Sequence, residues 1–181
     1  MITLTEIRDK KPCEDSWTKL LKSYGKTKAD NTVVTCQHLL KTLNIEDTMW
    51  VISNCIDGKR VKKRHMVADI AERVLHIWED WAKDNAPDHL DTPRKAVEAV
   101  RNGKVNEETS RAVYDAAEAA DDYLAACAAE AAAAAAVVTD ADGAYAAADG
   151  ALAAWSAYTA SAAAAAERVE QEKIILKYFG E

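Results

Sequence analysis

The chain has 181 residues, 49% of them hydrophobic, but 37 are Ala and 30 of these lie beyond residue 111. Ala burial stabilises little at about 25 cal/mol per Å², and Gly (6) and Pro (3) are too scarce for a β-rich or disordered chain. No apolar run reaches the roughly 20 residues that cross a bilayer, and the net charge of −7 divides into +3 over residues 1–105 and −10 over 106–181, so the expectation is a soluble, acidic, helical protein.

The first residues, Met1-Ile-Thr-Leu-Thr-Glu-Ile-Arg8, lack the apolar core of a secretion signal, and a cytoplasmic location is expected. A short helix over 3–11 stops at Pro12. Glu14–Tyr24 follows, with Trp17, Leu20, Leu21 and Tyr24 at i, i+3, i+4, i+7 and Gly25 as its stop. The next helix is expected from Thr32 to Leu43, capped by Asp30 or Asn31 and carrying Val33, Cys36, Leu39, Leu40 and Leu43. Another spans Glu46–Cys55 and ends at Asp57-Gly58. The strongest amphipathic segment, Lys59–Lys83, places Val67, Ile70, Val74, Ile77, Trp78 and Trp81 on one arc. With Trp17 and Trp50, the two indoles of that arc are expected to build a buried, Trp-rich core. A loop at 85–91 leads to Thr92-Pro93 and a short helix, Arg94–Arg101, which Asn102-Gly103 ends.

Asn106 caps the next helix, with Glu107 and Glu108 in its first turn, where the helix dipole favours acids. Ala, the best helix former, dominates from there to Ala166. Val113, Ala117, Ala120, Leu124, Cys127, Ala131, Ala134 and Val138 alternate steps of four and three, a heptad seam of small residues. Unbroken, residues 107–178 would reach roughly 105 Å, and the poor helix formers near 138–143 favour an antiparallel hairpin instead. The fold expected is all-α: a front domain of about five helices over 1–105, then an Ala-rich helical hairpin over 106–181 that packs on it or extends from it. The tail Glu167–Lys177 is expected to dock on the front half, and the Ala-rich helices offer a route to homo-oligomers.

Few constellations point to chemistry. Cys13, Cys36, Cys55 and Cys127 lack metal-ligand spacing and read as thiols of a reducing compartment. Gly25-Lys-Thr lacks the first Gly of a phosphate loop. His65, Asp69, Glu72, His76 and Asp80 share one helix face. Imidazole and carboxylate a turn apart can hold a metal or pass a proton. Di-iron bundles use Glu-x-x-His, however, whereas Glu72 and His76 are four apart, and the face lies opposite the Trp arc. It is therefore expected to be solvated, with no metal and no cofactor.

Two charged stretches remain as candidates for partner binding. Lys59, Arg60, Lys62, Lys63 and Arg64 are five cations at a helix start, where they oppose the dipole. They suit an acidic protein, the chain's own acidic half, or phosphates. Asp115, Glu118 and Asp122 recur on one side of the Ala-rich helix, away from the Val113/Leu124 seam, and suit a basic partner.

Pro12-Cys-Glu-Asp-Ser-Trp17-Thr-Lys-Leu-Leu21, Gly25-Lys-Thr-Lys-Ala-Asp30 and Asp47-Thr-Met-Trp50 resemble the front of alanine-rich proteins of tailed phages and prophages. His65-Met-Val-Ala-Asp-Ile-Ala-Glu-Arg-Val-Leu-His76, Asp91-Thr-Pro-Arg94-Lys-Ala-Val-Glu-Ala-Val-Arg101-Asn-Gly-Lys104 and the Ala-rich run are similar to an immunity-protein family found beside bacterial toxins. Together the stretches cover most of residues 12–166, and Trp78 departs from the Phe expected there. The resemblance implies an all-helical protein that works by binding and supplies no catalytic residues. The function expected is a non-enzymatic inhibitor, of immunity or phage anti-defence type, whose partner is a bacterial cytoplasmic protein such as a toxin or defence enzyme. The alternatives are a nucleic-acid-associated accessory protein using the basic segment 59–65, and a metal-dependent helical enzyme using His65, Asp69, Glu72 and His76.

Overall fold

The computed structural model describes residues 2–56, 58–121 and 161–180, with Ala125, Ala128, Ala129, Ala131 and Ala132 between them. The described residues are all-α apart from one ribbon. They form nine α-helices: α1 (Leu4–Asp9), α2 (Glu14–Ser23), α3 (Cys36–Thr42), α4 (Ile45–Cys55), α5 (Arg60–Glu72), α6 (Leu75–Asn85), α7 (Thr92–Asn102), α8 (Glu107–Ala119) and α9 (Ser161–Phe179). The hairpin turn expected near 138–143 and the seam residues Leu124, Cys127, Ala134 and Val138 lie outside the described residues.

The ribbon was not expected. β1 (Ile2–Thr3) pairs antiparallel with β2 (Val33–Val34), Ile2 opposite Val34 and Thr3 opposite Val33. Thr32-Val-Val-Thr35 is a β-branched run, stiff at χ1 and better suited to an extended chain than to a helix start. The third helix accordingly begins later than Thr32. Thr35, rather than Asp30 or Asn31, caps it by accepting from the His38 N–H at 3.2 Å. Asn44 opens α4, its side chain accepting from the Asp47 N–H at 2.7 Å. Thr3 and Glu6 form a reciprocal capping box at the start of α1.

The Lys59–Lys83 segment is also two helices rather than one. The Arg73 and Val74 N–H groups donate to Ile70 and Ala71 three residues back, at 3.3 and 3.2 Å, which tightens the last turn of α5 before α6 begins. Both sides of the break still feed one core. It gathers Val67, Ile70, Val74 and Trp78 with Val97 and Val100 of α7, Val113, Ala116 and Ala117 of α8, and Ile175 of α9. The tail helix α9 therefore packs on the front half, against α5, α3 and α4. The five described alanines between 125 and 132 are buried in the same core, where the absence of longer side chains permits close approach. A second cluster joins the ribbon to α1–α4 through Leu4, Ile7, Leu20, Val34, Leu39 and Val51.

The tryptophans divide. Trp78 is fully buried, and its indole N–H donates to the carbonyls of His89 and Leu90 at 3.3 and 3.1 Å, which ties down the loop after α6. Trp81 stacks at a tilt on Trp78, with ring centres 5.2 Å apart. Trp17, Trp50 and Trp81 are only half-buried, so the expected burial of all four holds in full for Trp78 alone.

Candidate functional site

The basic stretch is largely turned inward. Lys59 and Arg60 are exposed, while Lys62, Lys63 and Arg64 are half-buried. The Lys62 ammonium donates to the Tyr178 carbonyl at 3.1 Å and that of Lys63 to the Ser53 carbonyl at 2.8 Å. These carbonyls belong to the last turns of α9 and α4, where orphan acceptors and the negative dipole end favour cations. The cations that oppose the dipole of their own helix thus serve the ends of two others. The Arg64 guanidinium lies against Gly103, the left-handed residue that ends α7.

The acid and histidine face is solvated only in part: Glu72 and Asp80 are exposed, whereas His65, Asp69 and His76 are half-buried, and on α5 the face serves as a joint. Asp69 accepts from Arg101, Lys177 and the Tyr178 hydroxyl, each at 2.8 Å. Glu72 accepts from the same Arg101 at 2.7 Å, and Arg94 pairs with Glu79 at 2.6 Å. Burial pushes the Asp69 carboxyl up, but the hydrogen bonds from Lys177, Tyr178 and Arg101 outweigh it and hold the group below the usual carboxylate range. His65 meets the Tyr178 ring edge-on, and His76 sits on α6 beyond the break, Nδ1 at 3.0 Å from the Arg73 carbonyl. No group of three or more His, Cys, Asp or Glu residues able to hold a metal ion occurs among the described residues. Burial pushes the Cys36 thiol up to about 12, whereas Cys13 is exposed.

The outer face of α8 differs from both. Val113, Ala116 and Ala117 are buried, which leaves Glu107, Glu108, Asp115, Glu118 and, just beyond the helix, Asp121 exposed. Arg111 is the one cation on this helix, and it pairs with Glu107 at 3.0 Å. Asp115 and Glu118 have no ion-pair partner among the described residues. Tyr114 stands among these acids at 46% exposure. Asp122, the third acid of the expected triplet, lies outside the described residues.

A fourth place escaped the reading of the sequence. Between α1, α2 and α4 lies a cleft of about 130 Å³, lined by Ile7, Leu20, Leu43 and Val51 and by both Trp17 and Trp50. Its polar lining is Lys11, Cys13, Ser16, Glu46 and Asp47. Ser16 is buried and donates to Asp47 Oδ2 at 2.5 Å, while the Cys13 thiol donates to the Ser16 hydroxyl at 3.1 Å. Lys11 adopts a left-handed backbone, φ 57°, just after α1. Helical spacing marked Trp17 and Trp50 as inward-facing, but spacing cannot separate a side chain packed on all sides from one that borders a cleft.

No family model, curated protein or solved structure matches the chain. Among the described residues, no helix is long and apolar enough to cross a membrane.

Proposed function

We propose that the protein is a non-enzymatic, protein-binding inhibitor of immunity or phage anti-defence type. It acts on a bacterial cytoplasmic protein and docks through the outer face of α8. The observation that carries this reading is an exposed tyrosine on a helix rich in exposed carboxylates, two of which, Asp115 and Glu118, lack ion-pair partners among the described residues. Aromatic residues recur as binding hot spots, and a surrounding field of one sign selects a partner of the other. The partner surface is therefore basic, as on a nucleic-acid-handling enzyme. The inhibitory role rests on the resemblance to immunity proteins. The nucleic-acid alternative is weakened because three of its five cations contact other parts of the fold. The metal-enzyme alternative is weakened because Asp69 and Glu72 are engaged by Arg101, Lys177 and Tyr178.

The test begins with a partner captured from bacterial lysate. Replacing Asp115, Glu118 and Asp122 by Asn, Gln and Asn should then slow association and flatten its salt dependence, since such steering is screened within about 8 Å at physiological ionic strength. An unchanged on-rate and an unchanged salt slope would reduce the face to a solvated surface.

A further inference from the structure

We propose that the cleft between α1, α2 and α4 is a binding site for a small organic cation with an apolar body, such as an aryl-alkyl ammonium. An apolar cavity of about 150 Å³ accepts a single benzene ring, so the roughly 130 Å³ here suits one ring-sized group. Two indoles line that space, and an aromatic ring packs favourably against indole in offset or edge-on geometry. The charge fits the same class. Glu46 and Asp47 line the cleft, and neither forms an ion pair with a cation among the described residues, although Lys11 lines it too. Asp47 is engaged on Oδ2 by Ser16, which fixes the carboxylate. The ligand places its cation beside Glu46 and Asp47 and its apolar body against Trp17 and Trp50. The site is separate from the α8 face and does not rest on the proposed function.

The probe is 2-phenylethylammonium, titrated into the full chain while the indole N–H resonances are followed by NMR. The chain has five tryptophans, and Trp17→Phe and Trp50→Phe assign the two at the cleft. Saturable shifts should centre on those two resonances. Glu46→Gln and Asp47→Asn should each weaken binding, by about tenfold when combined, and Lys11→Met should strengthen it. Glu46→Gln leaves the Ser16–Asp47 bond in place, so the test stands even if Asp47→Asn disturbs α2. The uncharged 2-phenylethanol and the anionic 3-phenylpropionate should bind far more weakly. The absence of any saturable shift at the two indoles would overturn the proposal, as would equal binding of the alcohol. Because the assay uses no protein partner, its failure leaves the α8 reading untouched, and the failure of that reading leaves this one untouched.

Discussion

The ion pair between Arg73 and Glu167 joins the end of α5 to α9 across 94 residues of sequence, and its two halves are not equally buried. The Glu167 side chain is 0% exposed and that of Arg73 30%. Arg73 Nε donates to both carboxylate oxygens at 3.0 and 2.9 Å, Nη2 adds a contact of 2.8 Å, and Gln171 donates at 3.4 Å. Removing one partner of a buried pair costs about 3–5 kcal/mol, because the remaining charge is desolvated without compensation. Arg73→Met strands the fully buried carboxylate and should cost that amount. Glu167→Gln leaves a guanidinium that can turn to water and an amide that still hydrogen-bonds, so the cost should be about 1–2 kcal/mol. In the double variant no buried charge remains. It should be more stable than Arg73→Met alone by about 1 kcal/mol, which together with the cost of about 1–2 kcal/mol for Glu167→Gln makes a coupling of about 2–3 kcal/mol, within the range seen for contacting residues. Urea unfolding followed by circular dichroism gives all four stabilities, and equal slopes confirm that the unfolded reference is shared. An Arg73→Met cost below about 1 kcal/mol, or a double variant that loses the sum of the two single costs, would refute the assignment of Glu167 as a buried, compensated charge.

Two further outcomes follow from single positions. Gly103 has φ 66°, and a Cβ there would lie 2.5 Å from Nη1 of Arg64. Gly103→Ala should therefore lower stability by about 1–2 kcal/mol, most of it backbone strain since Arg64 can move, and calorimetry showing an unchanged or raised Tm would contradict this. Asp69 titrates below its ordinary 3.8 in the fold, facing Arg101, Lys177 and Tyr178 with Glu72 nearby. A depressed carboxyl stabilises above its unfolded pKa, and that stabilisation disappears as pH falls through the folded value. Asp69→Asn should thus be destabilised at pH 7, and its deficit should shrink progressively below about pH 4. A deficit that stays constant with pH would show that packing, rather than the charge, holds α9 in place.

Local punctuation in the sequence was the most legible feature. Gly25 and Gly103 both have positive φ just past a helix, Pro93 sits in the first turn of α7, and Asn106 caps α8 through the Thr109 N–H at 2.7 Å. In each case one residue type solves a backbone problem within four residues of itself, so no tertiary information is needed. The break at Arg73–Val74 left no such mark. The apolar arc continues across it without a Gly or Pro, and Trp78 beyond the break joins the same core as Val67 and Ile70 before it while donating to the Leu90 carbonyl of the following loop. Val33 and Val34 were misplaced for a related reason. Val33 fits a helical stripe with Cys36, Leu39 and Leu40, but the β-branching of both valines favours the ribbon once the N-terminal residues supply a partner strand.

The charged faces show where periodicity stops being informative. A helical wheel places Asp69 and Glu72 opposite the core and so suggests solvent. Whether a face meets water depends on what else the fold brings there, and here that is Arg101, 32 residues from Asp69, and Lys177, 108 residues away. The basic stretch follows the same logic with the sign reversed. Five cations at a helix start are unfavourable for that helix considered alone, and that misfit is itself readable from the sequence. Its resolution requires the C-terminal ends of α4 and α9 to converge beside the start of α5, where Lys62 and Lys63 donate to carbonyls in the last turns of those helices. A charge pattern that is locally unfavourable therefore points to a long-range partner, within the chain or outside it. On α5 the partner is internal. On α8 the described residues provide none for Asp115 and Glu118, and this is why the acidic face, rather than the basic one, remains the surface to test against a second protein.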